Sequence, residues 1–173
     1  MSKPEPLPED AETQQAEKST ARKKLELLQS TGEYLFHGSP TAGIEEFEPR
    51  QAKDGNPKTG EQWDDGPPGI AAADVVGPAI FKSIISRVNL DENISMWSSF
   101  GIKDKKIAYS ANRTGLEAIK SKNPLGYVYV FRKSDFHHYK GFEYRCEKPI
   151  RPIDVVEVAV EDLPHNIEII EDK

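Results

Sequence analysis

The chain has 173 residues, of which 36% are hydrophobic and 30% charged, with a formal net charge of -6. That balance points to one domain with a modest core plus a solvated segment, and argues against a general nucleic-acid binder, which presents a basic face. A lone cysteine, Cys146, excludes an internal disulfide and fits a reducing compartment. No apolar run nears the ~20 residues of a membrane helix, and the N-terminus lacks an apolar signal core. The expectation is a soluble, cytoplasmic protein with no membrane partner.

In chain order, residues 1 to about 20 carry prolines at 4, 6 and 8 among Glu, Asp, Gln, Lys and Ser, with almost nothing apolar to bury. They read as a disordered tail. Ala21 to Gln29 follows as a short helix ended by Thr31-Gly32, with Leu25 and Leu28 placed to pack on the domain. The division is therefore a tail with a short helix over 1–30 and a domain over 31–173. Tyr34 to His37 predicts the first strand, and Ile44 to Pro49 an edge segment. Arg50 to Pro68 is rich in Gly, Pro, Asp, Lys and Asn, a long loop of the kind that serves as a lid or binding loop. Its Trp63 reads as an anchor for the loop or a face for a ligand.

Gly69 to Ala73 predicts a second buried strand. Asp74 reads as the N-cap of a helix over Val76 to Val88, with an apolar stripe through Ala79, Ile80, Phe81, Ile84 and Ile85. Pro78 is tolerated early in that helix. Ile94–Phe100 and Lys106–Ser110 read as paired strands joined by a turn over Gly101–Lys105. Thr114–Ser121 is a short helix or turn. Gly126–Lys133 is β-branched and aromatic throughout, the clearest strand of all. Phe142–Cys146, Ile153–Val160 and Ile167–Ile170 complete the pattern. Strands outnumber helices and most connections are short. The fold class is α+β, an antiparallel split β-sheet core with a few short helices.

The stretch Leu35-Phe36-His37-Gly38-Ser39 stands out chemically, because a buried strand ends by delivering an imidazole beside a residue with no Cβ, where a ligand could approach the backbone. A strand-end histidine with a structural hydrogen bond is the alternative. On Phe142 to Glu147 the two-residue alternation sets Glu143, Arg145 and Glu147 on the face opposite Phe142, Tyr144 and Cys146. Glu143 is thus either catalytic or a solvent-facing glutamate, with Glu147 in reserve. His137-His138 reads as a surface pair on a loop, since no Cys or acidic cluster completes a metal site. Cys146 reads as an inert, half-buried thiol. Gly66-Pro67-Pro68-Gly69 is turn chemistry and lacks the ending of a phosphate loop.

Four segments, in order over Tyr34 to about Leu163, resemble the ADP-ribosyltransferase fold in its poly(ADP-ribose) polymerase and diphtheria-toxin branch. Leu35 to Ser39 looks like that branch's His-Gly-Ser motif. Gly69 to Asp74 resembles its Gly-Ile-Tyr-Phe-Ala-Asp segment. Gly126 to Phe131 is similar to its central strand, and Phe142-Glu143-Tyr144 to the Asn-Glu-Tyr segment with the catalytic glutamate. The resemblance implies an NAD-dependent transferase of the glycosyltransferase class with no metal. NAD is its substrate, and the acceptor is a protein, a nucleic acid or water. It implies that His37 holds a ribose hydroxyl, Gly38 the nicotinamide carboxamide and Ser39 a further contact. Glu143 would hold the ribose 2′-hydroxyl and stabilise the oxocarbenium. Arg50, Lys53 and Lys58, on the loop after the first strand, are candidates for the pyrophosphate.

The branch's motif tyrosine is replaced by Ala71. Another aromatic then has to cover the nicotinamide face, with Phe81, Trp63 and Tyr139 as candidates. The alternative is a catalytically inactive module of the same fold that binds a nucleotide or a protein.

Overall fold

The protein, seen in a computed structural model, is described over residues 19–56 and 58–172. Helix α1 (Thr20–Thr31) opens the chain, capped by the Ser19 hydroxyl at the Arg22 N–H and closed by Gly32 in the left-handed region, φ 72°. The strands that follow are β1 (Tyr34–Ser39), β2 (Lys53–Gly55), β3 (Gln62–Asp64) and β4 (Ile70–Ala73), then helix α2 (Val76–Ile84). Strands β5 (Ser98–Lys103) and β6 (Lys106–Asn112) lead into helix α3 (Arg113–Lys122). Strands β7 (Gly126–Arg132), β8 (His137–Lys140), β9 (Glu143–Cys146), β10 (Asp154–Val158) and β11 (Ile167–Ile170) complete the chain. The mixed α+β class with mostly antiparallel sheet is as expected from the pattern.

Six strands form one antiparallel sheet in the order β10-β7-β1-β4-β9-β8. The β-branched and aromatic run of β7 lies between β10 and β1, where both faces are covered and all of Val128 to Phe131 is buried. A second sheet, β11-β6-β5, holds the one parallel pair among the described residues, β11 with β6. The ladder between β1 and β4 is nearly absent. β1 pairs with β7 from Tyr34 to Ser39, but with β4 only at Phe36↔Ala73. The two strands part beyond that point, and the candidate site lies at this opening.

One face of the large sheet is covered by α2, whose Ala79, Ile80 and Ile84 join Phe36, Val128, Val130, Val156 and Val158 in the larger core. Leu25 of α1 is fully buried in the same core and Leu28 packs against it, so α1 is part of the packed unit. The opposite face carries a smaller cluster of Phe47, Ile70, Tyr129, Phe131 and Cys146. The Tyr129 hydroxyl closes it by donating to the Thr41 carbonyl and accepting from the Ile44 N–H.

Several expectations are corrected. The long loop after β1 contains the β2–β3 hairpin, whose short, fully exposed strands have no apolar alternation to reveal them. Trp63 sits on β3 opposite Asp54 and stays 47% exposed, so it buries little. The edge segment over Ile44 to Pro49 pairs through one antiparallel bridge, Phe47 to Ile150. Asp74 does not cap α2. The N-cap is Val75, with no side-chain cap bond, and the Val76 N–H is satisfied by the Gln29 side chain from α1. The helix ends at Ile84 and a separate 3₁₀ turn covers Arg87–Asn89, where Asn89 donates to the Ile84 carbonyl. Strand β5 begins at Ser98, and its hairpin turns on Asp104 and Lys105, both at positive φ. His137 and His138 lie on β8 rather than on a loop. The tail expected at the N-terminus falls, over residues 1–18, outside the described residues. No helix among the described residues is long and apolar enough to cross a membrane.

Candidate functional site

The gap between β1 and β4 opens into a small cavity of about 40 Å³. His37, Gly38, Ala71, Lys82, Phe100, Phe142 and Glu143 are among its lining residues. A cleft of about 890 Å³ adjoins it, and Lys82, Phe100, Phe142 and Glu143 line both. The cleft is therefore built where α2, the β5–β6 hairpin and the β8–β9 turn converge. Residues distant in sequence share it because β9 pairs with β4 in a register that sets Glu143 opposite Ala73 and Arg145 opposite Ala71.

Glu143 is held in place. Arg145, two residues on and on the same face, is 3% exposed. Its Nε and Nη2 both donate to Glu143 Oε2, at 3.1 and 3.0 Å. Nη2 also donates to Asp65 Oδ2 at 3.0 Å, and Nη1 to the Asp65 backbone carbonyl. The guanidinium lies 3.8 Å from the Tyr139 ring centre. The Tyr139 hydroxyl donates to Asp65 Oδ1 at 2.9 Å, and Lys140 pairs with the same oxygen. One buried cation thus bridges two carboxylates, an arrangement that fixes geometry because each guanidinium nitrogen has a charged or carbonyl acceptor. On this face of β9 Arg145 is buried, Glu143 half-buried and Glu147, just past the strand, exposed. No protein partner is bonded to Glu143 Oε1 among the described residues.

His37 sits differently. The pleat places it opposite Tyr129, on the face away from Glu143, where its ring meets Phe47 edge-on at 4.9 Å. Nδ1 lies 2.6 Å from the Ala71 carbonyl oxygen. The ring therefore spans the gap where the ladder is broken and joins β1 to β4 in place of a backbone bond. Burial pushes its pKa down to about 4; the Ala71 carbonyl opposes the shift, and the Lys82 and Arg50 charges add to it. At neutral pH the imidazole is neutral, with Nδ1–H donating to the Ala71 carbonyl.

The sign for stability follows from that lowered value. The unfolded chain takes up a proton near pH 6.5 that the folded chain resists until about 4. The contribution of neutral His37 is whole above pH 6.5 and is lost as pH falls towards 4, by roughly 3 kcal/mol at most. His37→Asn is expected to flatten the stability curve between pH 4 and 6.5, read by denaturant melts. An unchanged slope would show that His37 does not carry it.

Of the other residues picked out by sequence, Gly38 and Ala71 line the small cavity. The Gly38 α-carbon lies directly beneath the Ala79 carbonyl of α2. Ser39 and Arg50 line neither cavity. Ser39 Oγ accepts from the Thr41 N–H, and Arg50 makes a backbone bridge to Gly69. Phe81 touches the large cleft but is 1% exposed, packed on Phe100 and Tyr109. Lys53 lines the cleft while paired with Asp64, and Lys58 does not line it. Glu147 is exposed and outside both cavities.

Sequence reasoning passed over Phe100, Phe142, Lys82 and Arg145. The rings of Phe100 and Phe142 stand 6.2 Å apart, 30° from parallel, where an aromatic opposite Gly38 was sought. Arg145 was visible as the i+2 neighbour of Glu143 on an alternating strand; Phe100 carried no signal, because it reaches the cleft from the other sheet. Among the described residues no group of three or more His, Cys, Asp or Glu is placed to hold a metal. No protein-family model, no curated protein and no solved structure matches the chain.

Proposed function

We propose that this chain is an NAD-dependent ADP-ribosyltransferase, cleaving the nicotinamide–ribose bond and passing ADP-ribose to a protein, nucleic-acid or water acceptor. The observation that carries the reading is Glu143. Its carboxylate lines both cavities, is held from behind by Arg145, and has Oε1 unengaged by protein among the described residues. Cleavage of this bond expels neutral nicotinamide and leaves an oxocarbenium-like ribose, as in glycoside cleavage. No strong general acid is needed. What helps is a carboxylate fixed before the charge develops, which costs no reorganisation in the transition state. Oε1 is the atom to meet the ribose 2′-hydroxyl. His37, on the opposite face of the sheet, serves this reading through Nδ1, which bonds the Ala71 carbonyl and ties β1 to β4 behind the small cavity. A volume of about 890 Å³ suits a dinucleotide-sized ligand.

The test is nicotinamide release from NAD. Glu143→Gln keeps the shape and the bond to Arg145 in part but removes the charge, and is expected to lower release at least about a hundredfold, the scale of losing one preset electrostatic group. Release equal in wild type and Glu143→Gln would end the enzyme reading.

A second reading, a non-catalytic nucleotide- or protein-binding module, is favoured by one observation. The small cavity holds about 40 Å³, far below the ~300 Å³ at which ligand pockets begin. A nicotinamide ring enters it only if Phe100 and Phe142 part. Stabilisation of the fold by NAD without release of nicotinamide would select this reading.

A further inference from the structure

Four basic side chains line the large cleft: Lys53, Lys82, Arg87 and Lys140. Three of them are already engaged. Lys53 pairs with Asp64 and Lys140 with Asp65, while Arg87 donates to the backbone carbonyls of Glu92 and Ile94. Lys82 has no ion pair or hydrogen bond among the described residues. Its ammonium stands 5.8 Å from the Phe100 ring centre and feels the Glu143 carboxylate only through space. Among the described residues it is the only basic one that lines both cavities. Lys82 is exposed as a residue; desolvation at the cleft wall lowers its pKa from the ordinary lysine value, with Glu143 opposing the shift.

The nearby acids do not claim it. Asp65 is engaged by Arg145, Lys140 and Tyr139, Glu143 by Arg145 through Oε2, and Asp54 accepts from the Gly55 N–H; none of the three is bonded to Lys82 among the described residues. A partly desolvated cation without a counter-ion gains most from an anion brought by a ligand. A charged nitrogen beside the Phe100 ring, with Phe142 6.2 Å beyond it, matches a ligand that joins a flat ring to an anionic group.

We propose that Lys82 is the anion anchor of the cleft, binding a phosphate oxygen of a nucleotide whose ring lies against Phe100 and Phe142. The assignment rests on the nucleotide reading of the cleft and not on turnover.

The probe is ADP-ribose, titrated calorimetrically into the full chain, the Lys82→Met and the Lys82→Arg variants. Methionine keeps the flexible apolar stem over Phe100, so matching thermal midpoints show that packing is intact. Lys82→Met is expected to weaken ADP-ribose binding at least tenfold, and Lys82→Arg to retain most of it. Equal affinity of Lys82→Met and wild type overturns the proposal. So do equal losses in the Met and Arg variants, which differ in charge, and so does a wild-type chain that binds no ADP-ribose. Failure of the enzyme reading is separable. Absent nicotinamide release with Lys82-dependent ADP-ribose binding removes only the catalysis. NAD turnover with an unchanged KM in Lys82→Met removes only the anchor.

Discussion

Gly38→Ala is expected to cost the fold about 3–5 kcal/mol and to lower the melting temperature by roughly 6–20 °C for a chain of this length. An alanine Cβ there would lie 1.8 Å from the Ala79 carbonyl oxygen and 2.7 Å from the Ala79 carbonyl carbon. Both are backbone atoms, so no rotamer change relieves the clash. β1 cannot retreat, because it is paired with β7 along its whole length. Helix α2 cannot lift without opening the core around Ile80 and Ile84. Overpacking usually costs about 1–3 kcal/mol when side chains can give way; a backbone obstacle puts this site above that range. Gly101→Ala is the control, since a Cβ there meets nothing within 4 Å. Thermal melts of the two variants decide the matter, and a Gly38→Ala midpoint within about 2 °C of wild type would refute the packing described. The glycine is thus required by the helix above it, whatever the cleft binds.

Arg145→Met is expected to be nearly as damaging, by about 3–5 kcal/mol at neutral pH, the cost of removing one partner of a buried ionic cluster. It would strand Asp65 and Glu143 with only Lys140 and Tyr139 nearby. Lysine is no substitute, because a single ammonium cannot reach two carboxylates and a carbonyl in one plane. The pH dependence gives the prediction a second edge. Burial would raise the Asp65 pKa, but the Tyr139 hydroxyl, Lys140 and Arg145 outweigh it and hold the carboxyl below its ordinary value. Its contribution is therefore present above about pH 4 and disappears as pH falls through the lowered folded value. The gap between wild type and Arg145→Met should be widest near pH 7 and narrow below about pH 4. Denaturant melts at several pH values measure it. A gap that does not change with pH would mean that Arg145 stabilises by packing alone.

Much of the fold could be read from the chain. β7 announced itself because a central strand buried on both faces needs a continuous β-branched and aromatic run, and Tyr127 to Phe131 supplies one. β4 was readable as a short apolar run, and β9 by its two-residue alternation. The β2–β3 hairpin was missed because both strands are exposed and no apolar face marks their period. The end of α2 was placed too late because Ile85 and Val88 continue the apolar pattern, although Ile85 leaves the helix at ψ 77°. The site was legible in half. His37, Gly38 and Glu143 do line one small cavity. The alternation that puts Glu143 and Arg145 on one face was readable; their ion pair, and the Asp65 that completes it from the loop after β3, required the tertiary structure. The partner for Phe142 came from β5, a strand in another sheet, and no local pattern links them.

The cleft runs along a seam between two separately hydrogen-bonded sheets: Phe142 and Glu143 belong to the end of the six-stranded one, Phe100 to the β5–β6 hairpin of the other. The hairpin's tip, at Asp104 and Lys105, is exposed and touches neither cavity. One wall of the cleft is thus a modular part. Its loop can be lengthened, or its inward residues exchanged, without disturbing the ladder that fixes Glu143, so the shape of that wall and the position of the carboxylate are free to drift apart under selection or in the hands of an engineer.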